Sequence, residues 1–399
     1  MRIIYLHQYF TTPDMAGGTR SYEMARRLVE VGHEVHMVTS WREPSTMHNW
    51  FDTEISGIKV HWLPVQYANS MSFRERIMAF IRFAISSARK AASLKGDVIF
   101  ATSTPLTIAL PGIYASIRSR IPLVFEVRDL WPELPQAMGV VKNPLVLAGM
   151  SLLEWMSYRA ATACIALAPG IKEGIARRSP KNRRITMIPN GCDLNLFKPG
   201  RREDLNLAGI RPNDCVAIFT GAHGMANGLD AVLDAARVLL DRNRKDIVLV
   251  FIGDGKLKPH LKERARSEGL ENCRFFDPIP KNQLNHLVSC CDIGLMILDD
   301  VPAFYYGTSP NKFFDYISSG LPVVNNYPGW LAGMIHEHHC GEPVPPRNPQ
   351  AFADALCKLA DNPELRREYG QNARHLAEQA FSRENLATEF VAFLEINSR

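Results

Sequence analysis

The fold is decided by residues 215–255, CVAIFTGAHGMANGLDAVLDAARVLLDRNRKDIVLVFIGDG. "CVAIFTG" is an unbroken apolar run of strand length that ends on a glycine, and a helical period follows from Gly228 to Leu240. "DIVLVFIGDG" is a second such run and leads to a helix through Ala265. Strands that are apolar on both faces and alternate with helices belong to a parallel sheet. The same rhythm continues toward the C-terminus in "CRFFDPI", "CDIGLMIL" and "GLPVVNN". Toward the N-terminus lies "NGCDLNLFKPGRREDLNLAGIRPND", a polar, turn-rich link. Before it an independent series runs: "RIIYL" and a helix from Thr19 to Val31, "EVHMVT", "IKVHWL", "DVIFAT" and a helix after Pro105, "PLVFEV", "ACIAL", "RITMIP". This predicts an α/β protein of two Rossmann-like doubly wound domains, residues 1–195 and 205–381. The tail, residues 382–399, reads as a helix whose face, with Phe381, Phe390, Val391 and Leu394, returns to the first domain.

A length of 399 residues with 46% apolar and 22% charged side chains suits two globular domains. No apolar run reaches the roughly 18 residues of a membrane span, because the stretch from Pro144 to Leu153 stops at Glu154. The chain begins directly with a strand, which predicts a cytoplasmic protein. Eight scattered cysteines without a C-x-x-C pair indicate reduced, structural thiols. Residues 1–190 carry 23 basic and 14 acidic side chains, whereas the remainder carries 23 and 27, so the positive field belongs to the first half. Those cations are dispersed and no reading motif accompanies them, which disfavours a nucleic-acid binder.

Several stretches carry candidate chemistry. "AGGTRSYEMARRL" opens the first helix with Gly17 and Gly18, which let a backbone approach a phosphate or sugar. It lacks the spacing of a dinucleotide site, as do Gly253 and Gly255, and this disfavours NAD. "FEVRDLWPELP" puts Glu126, Arg128, Asp129 and Glu133 at the carboxyl end of a strand, where α/β folds place ligands. The bland alternative is an Arg128–Asp129 or Arg128–Glu133 ion pair. The turn "TGAHGMANGLD" offers a phosphate only N–H groups and His223. "HEHH" at 336–339 has the wrong spacing for zinc. Residues 71–95 form a basic amphipathic helix whose Phe73, Ile77, Phe80, Ile81 and Ala84 are expected to face the core, with contact to anionic lipid as the alternative. In "GTSPNKFFDYISSGLPVV" (307–324), Ser309 reads as an N-cap and Pro310 as the first helical residue. A helix start favours an acid, yet Lys312 stands there. The lysine makes sense beside a diphosphate, with Asp315 one turn on to accept ribose hydroxyls. A Lys312–Asp315 pair is the structural alternative.

Together these stretches resemble the retaining nucleotide-sugar glycosyltransferases of family 4, which have the GT-B fold of two Rossmann-like domains facing a cleft. The likeness is carried by "AGGTRSYEMARRLVEVGHEVHMVT", "MIPNGCDLNLFKP", "FIGDGKLKPHL" and "NKFFDYISSGLPVV". "YLHQYFTTPDMAGGTR" and "EVRDLWPE" look most like the WbuB-like branch, which includes proposed L-fucosamine transferases of bacterial surface-polysaccharide assembly. The resemblance implies a UDP-sugar donor held mainly by the second domain through Gly221, His223, Asn227, Gly253, Ser309, Asn311 and Asp315, with Gly17 and Gly18 of the first domain completing the donor site and the base near Pro278 and Ile279. It implies Arg128, Asp129 and Lys312 at the reacting centre and a polyprenyl-diphosphate-linked saccharide entering past Arg20, Glu126 and Glu133. It implies no cofactor and no metal, and a protein peripheral on the cytoplasmic face of the inner membrane, touching anionic lipid through residues 71–95. The chain departs from the family where a His-Asp pair becomes Arg128-Asp129. It departs again where the arginine and lysine of the turn become Ala222 and Asn227, and where the first of two glutamates becomes Gly307. Lys312 is the nearest replacement charge. A UDP-sugar 2-epimerase or hydrolase of the same fold, or a non-catalytic sugar-nucleotide-binding subunit, is the alternative.

Overall fold

The computed structural model describes residues 1–15, 17–43, 45–66, 71 and 73–398, with only the backbone of Phe73. The first half runs β1 (Arg2–Leu6), α1 (Arg20–Glu30), β2 (Glu34–Trp41), β3 (Phe51–Ile55), β4 (Ile58–Pro64), α2 (Phe73–Ser93), β5 (Val98–Thr102), α3 (Ala109–Ser119), β6 (Leu123–Val127), α4 (Glu133–Ala137), α5 (Pro144–Ala160), β7 (Ala163–Ala166), α6 (Pro169–Arg178) and β8 (Arg184–Met187). These strands form one sheet in the order β3-β4-β2-β1-β5-β6-β7-β8. It is parallel except for β3, which pairs antiparallel with β4.

The second half runs β9 (Cys215–Thr220), α7 (Asp230–Asp241), β10 (Ile247–Ile252), α8 (Lys258–Ser267), β11 (Cys273–Phe276), α9 (Lys281–Ser289), β12 (Ile293–Met296), α10 (Pro302–Gly307), α11 (Asn311–Ser318), β13 (Val323–Asn325), α12 (Trp330–Glu337), β14 (Gly341–Pro343), α13 (Pro349–Asp361), α14 (Pro363–Ala380) and α15 (Arg383–Asn397). Its sheet is parallel throughout, in the order β11-β10-β9-β12-β13-β14. Every residue of β9 and β10 is buried, as strands covered on both faces require. In each sheet the first strand of the series sits where the order reverses: β1 between β2 and β5, β9 between β10 and β12. Ligands of doubly wound sheets bind at the carboxyl ends of such strands.

α14 ends at the link between the halves, where Cys192 N–H donates to Phe381 O and Arg383 N–H to Cys192 O. From there α15 crosses to the first sheet, and Phe390 meets Phe100 edge-on with ring centroids 5.0 Å apart. Phe381 stays behind with the second core, 5.2 Å from Phe314, rather than joining the returning face. The phase read for α2 also needs correction: Ala79, Phe83, Ala84, Ser87 and Ala91 are buried, while Ile77 and Ile81 are exposed. Phe80, Ile81, Phe83, Ala84 and Ile85 make this helix apolar nearly all round, so periodicity alone does not choose the inward face. The side chain of Phe73 lies outside the described residues.

Candidate active site

The glycine-rich loops after β1 and β9 meet the start of α11. A Cβ on Gly18 would lie 3.0 Å from Asn311 Nδ2, so the first-domain loop touches the second-domain helix. A Cβ on Gly221 would lie 3.4 Å from Lys312 Cε. Gly253, at φ +148°, would drive a Cβ to within 1.9 Å of Gly221 O, so only glycine lets the ends of β9 and β10 close together here. Gly17, at φ +140°, packs over Thr11, whose hydroxyl donates to Gly18 O at 2.8 Å.

Lys312 lies at the centre of this arrangement. Pro310, in extended conformation, is the N-cap residue of α11, which makes Asn311 the first helical residue and Lys312 the second. Ser309 therefore does not cap the helix: its Oγ accepts from Asn190 N–H at 2.9 Å and ties the start of α11 to the link between domains. The Lys312 ammonium donates to Asn227 Oδ1 at 2.6 Å and stands 4.1 Å from the centroid of the Phe219 ring. Asn227 is the position at which the family resemblance puts a lysine, so α11 delivers a cation to the same spot from the other side. Burial pulls the Lys312 pKa down to about 7. A cation of lowered pKa beside the N–H groups of a helix start is matched to an anion with oxygens for both.

Asp315 does not pair with Lys312. It is buried one turn on, with Lys281 Nζ 3.5 Å from its Oδ1, and Lys281 also reaches Asp193 Oδ2 at 3.0 Å. Arg383 completes the chain, 2.5 Å from Asp193 Oδ1 and donating to Gly191 O at 2.7 Å. Burial pushes the Asp315 carboxyl up despite the neighbouring Lys281. Lys281 opens α9 after its N-cap residue Pro280; ahead of it Pro278 is exposed, and Ile279 is half-buried against the second core. The sequence reading passed over Lys281, although it repeats the signal of Lys312: a cation in the first turn of a helix.

His223 is a correction. Its side chain is fully buried among Phe219, Phe251 and Phe275, and burial, reinforced by Lys258, lowers its pKa to about 4. A neutral ring in an aromatic pocket does not face a phosphate. Its backbone ties the loop after β9 to the loop after β10, with the N–H donating to Asp254 O and the carbonyl accepting from Leu257.

On the first domain, Arg20 and Glu126 are also corrected. They are a buried pair, 2.8 Å apart at 1% and 0% side-chain exposure, and Arg20 donates in addition to Ile188 O and Pro189 O. Fully engaged groups away from solvent cannot receive an acceptor; they hold β6 and α1 to the segment that leads into the link. Arg128 is half-buried over this pair, with Nη2 donating to Ser21 Oγ at 2.8 Å, Nε to Thr102 Oγ1 at 2.8 Å, and Nε 3.3 Å from Glu126 Oε1. Its acidic partner is thus Glu126, not Asp129 or Glu133. Ser21 and Thr102 orient it and were not read as site residues. Asp129 accepts from Thr104 Oγ1 at 3.3 Å, and burial pushes its carboxyl up against that bond and Arg128. Glu133 is exposed at the rim of a cavity of about 250 Å³ shared with Glu154, Arg177 and Arg178. Among the described residues, the HEHH stretch and the rest of the chain form no group of three side chains that could hold a metal.

Two doubly wound domains thus meet at a lysine-bearing helix start. Residues 16–191 match the glycosyl transferase 4-like domain and residues 201–376 match the glycosyl transferases group 1 domain, so the chain belongs to the glycosyltransferases built from these two domains. It is 28% identical over 216 residues to D-inositol 3-phosphate glycosyltransferase 2 of Catenulispora acidiphila, covering 51% of this chain and 49% of that protein. It is 25% identical over 175 residues to O-antigen chain mannosyltransferase C of Escherichia coli, covering 44% of each. The chain thus spans about half the length of these curated relatives. The Anabaena protein HepE, solved with UDP and glucose, superposes with a TM-score of 0.73 over 99% of this chain and 100% of its own, at 17% identity. The fold is GT-B, as the resemblance implied.

Proposed function

We propose that this protein is a retaining glycosyltransferase that moves a sugar from a UDP-sugar to a polyprenyl-diphosphate-linked saccharide in bacterial surface-polysaccharide assembly. The observation that carries the reading is the convergence of Lys312, Gly221, Asn227 and Gly18 at the first turn of α11. The donor diphosphate would lie there, with Lys312 and the helix N–H groups stabilising the charge that develops as the sugar leaves. Asp315 would accept a ribose hydroxyl and Pro278 and Ile279 would flank the base. The departing diphosphate would take the acceptor proton on the face it leaves, so configuration is retained without a protein nucleophile. UDP in the neighbouring HepE structure supports the donor class, and the likeness to an O-antigen mannosyltransferase supports the acceptor class. An N-acetylated amino or deoxy sugar such as L-FucNAc rests on the likeness to the WbuB-like branch. Among the described residues no helix is long and apolar enough to cross a membrane. A place at the cytoplasmic face of the inner membrane would bring the protein to its acceptor.

Calorimetric titration of UDP, with GDP as control, tests this reading. UDP is expected to bind more tightly than GDP, and absence of UDP binding would overturn the donor site. The pH dependence has a definite sign. In the free protein Lys312 titrates near pH 7, whereas a bound diphosphate raises its pKa. UDP affinity is therefore expected to fall as pH rises above 7, by up to about tenfold per unit, with proton uptake on binding. Affinity independent of pH between 7 and 9 would remove Lys312 from the diphosphate. Arg128→Ala is expected to bind UDP normally and lose transfer, measured as product per enzyme with donor saturating; full turnover would remove Arg128 from the reacting centre.

A further inference from the structure

Lys281 is the first helical residue of α9, where the N–H groups of a helix start repel a cation. Two carboxylates and an aromatic ring hold it there. Its ammonium donates to Asp193 Oδ2 at 3.0 Å, stands 3.5 Å from Asp315 Oδ1 and lies 5.2 Å from the centroid of the Phe197 ring. The side chains of Lys281, Asp193 and Asp315 are nearly closed off from solvent, at 11%, 11% and 12% exposure. Asp193 belongs to the link between the domains and Asp315 to α11, so one cation joins the link to the helix that carries Lys312.

The two carboxylates are not held alike. Burial works against the Asp193 charge, but Arg383 and Lys281 together keep its carboxyl below the usual range. Asp315 has Lys281 at ion-pair distance, and burial pushes its carboxyl up all the same. Among the described residues no group donates a hydrogen bond to Asp315 Oδ1. The cluster is balanced, with two carboxylates against Lys281 and Arg383. Without Lys281 one negative charge is left over, and because Arg383 stays on Asp193, 2.5 Å from its Oδ1, the compensating proton goes to Asp315. The adjacent Cys192 thiol, pushed up to about 12 by burial, adds no charge of its own. A buried carboxylate oxygen without a donor is costly until a ligand supplies one, and the charged form is the stronger acceptor of hydroxyl hydrogens.

We propose that Lys281 is a positioning residue for the donor nucleotide: it keeps Asp315 charged and fixed for the ribose hydroxyls and anchors the donor helix to the link between the domains. This role rests on the reading of Asp315 as the acceptor of ribose hydroxyls. UDP and 2′,3′-dideoxy-UDP are titrated by calorimetry into wild type, Asp315→Asn and Lys281→Met from about pH 6 to about pH 9. The ratio of the two affinities isolates the ribose, because Lys312 and the base act on both ligands alike. Wild type is expected to favour UDP at least about tenfold across this range, and Asp315→Asn to lose that preference. Lys281→Met is expected to lose it at the acid end and regain it as pH rises and Asp315 ionises, while binding 2′,3′-dideoxy-UDP as wild type does at each pH. Merely structural damage would not titrate. Lys281→Arg keeps the cation and should keep the preference; it carries the test if Lys281→Met binds neither nucleotide. A wild-type ratio in Lys281→Met, a lost ratio that no pH restores, or a lost ratio in Lys281→Arg would each overturn the role of Lys281, with loss in Asp315→Asn leaving the ribose reading in place. A preference retained in Asp315→Asn would overturn both.

Discussion

Lys312→Ala is expected to bind UDP at least roughly tenfold more weakly than wild type. Removing one partner of a hydrogen-bonded charge pair costs about 2–5 kcal/mol, and the lower end of that range already corresponds to more than a factor of ten. The variant should remain folded, which is what makes the experiment readable. Burial holds the Lys312 pKa near 7, well below that of a free lysine, so the protonated side chain opposes folding. That cost is full below about pH 7 and shrinks as pH rises toward the ordinary lysine range. Replacing Lys312 therefore removes a destabilising group, and the melting temperature of the free protein at pH 7 should stay level or rise. Unchanged UDP affinity would mean that Lys312 only bridges Asn227 and Phe219, and would move the diphosphate to Gly18, Arg128 or the 221–228 turn.

Arg20→Ala is expected to destabilise the protein by about 3–5 kcal/mol, read from urea unfolding, because it strands a fully buried carboxylate. Glu126 would keep only the Thr102 hydroxyl at 2.8 Å and the Arg128 Nε at 3.3 Å. Ile188 O and Pro189 O would lose their donors at the same time. Burial works against the Glu126 charge, yet Arg20 and Arg128 hold its pKa below the usual carboxylate value. In wild type this contributes stability above the unfolded carboxylate pKa that is lost as pH falls through the lowered folded one. In the variant burial dominates, so the deficit should narrow as pH falls and Glu126 becomes neutral. A loss under about 1 kcal/mol at pH 7 would contradict the structural role given to this pair.

The same residue types were read with unequal success, and the reasons are physical. Strands such as CVAIFT and IVLVFI are buried on both faces, so their apolar runs are unmistakable. β3 escaped because FDTEI is an edge strand with its three central residues exposed; the sign of its hairpin was the Ser56-Gly57 pair, both at positive φ. Arg20, Glu126 and His223 show the limit for sites. Charge and position at a strand end are visible in sequence, but whether a side chain turns to the cleft or into the core depends on packing from elements far away: Ile188 and Pro189 for Arg20, Phe251 and Phe275 for His223. Lys312 was legible because it breaks a local rule that needs no tertiary information. Lys281 breaks the same rule, and its ties to Asp193 and Asp315 link the donor helix to the segment between the domains.

The most direct measurement is product formation from a panel of UDP-sugars mixed with membrane-extracted lipid-linked saccharides, scored by mass and by the anomeric configuration of the new bond. The account predicts that one donor yields an acceptor heavier by one sugar, with donor configuration retained and no sugar released or rearranged when acceptor is left out. Hydrolysis or epimerisation without acceptor, or UDP-sugar binding with no turnover on any acceptor, would contradict it.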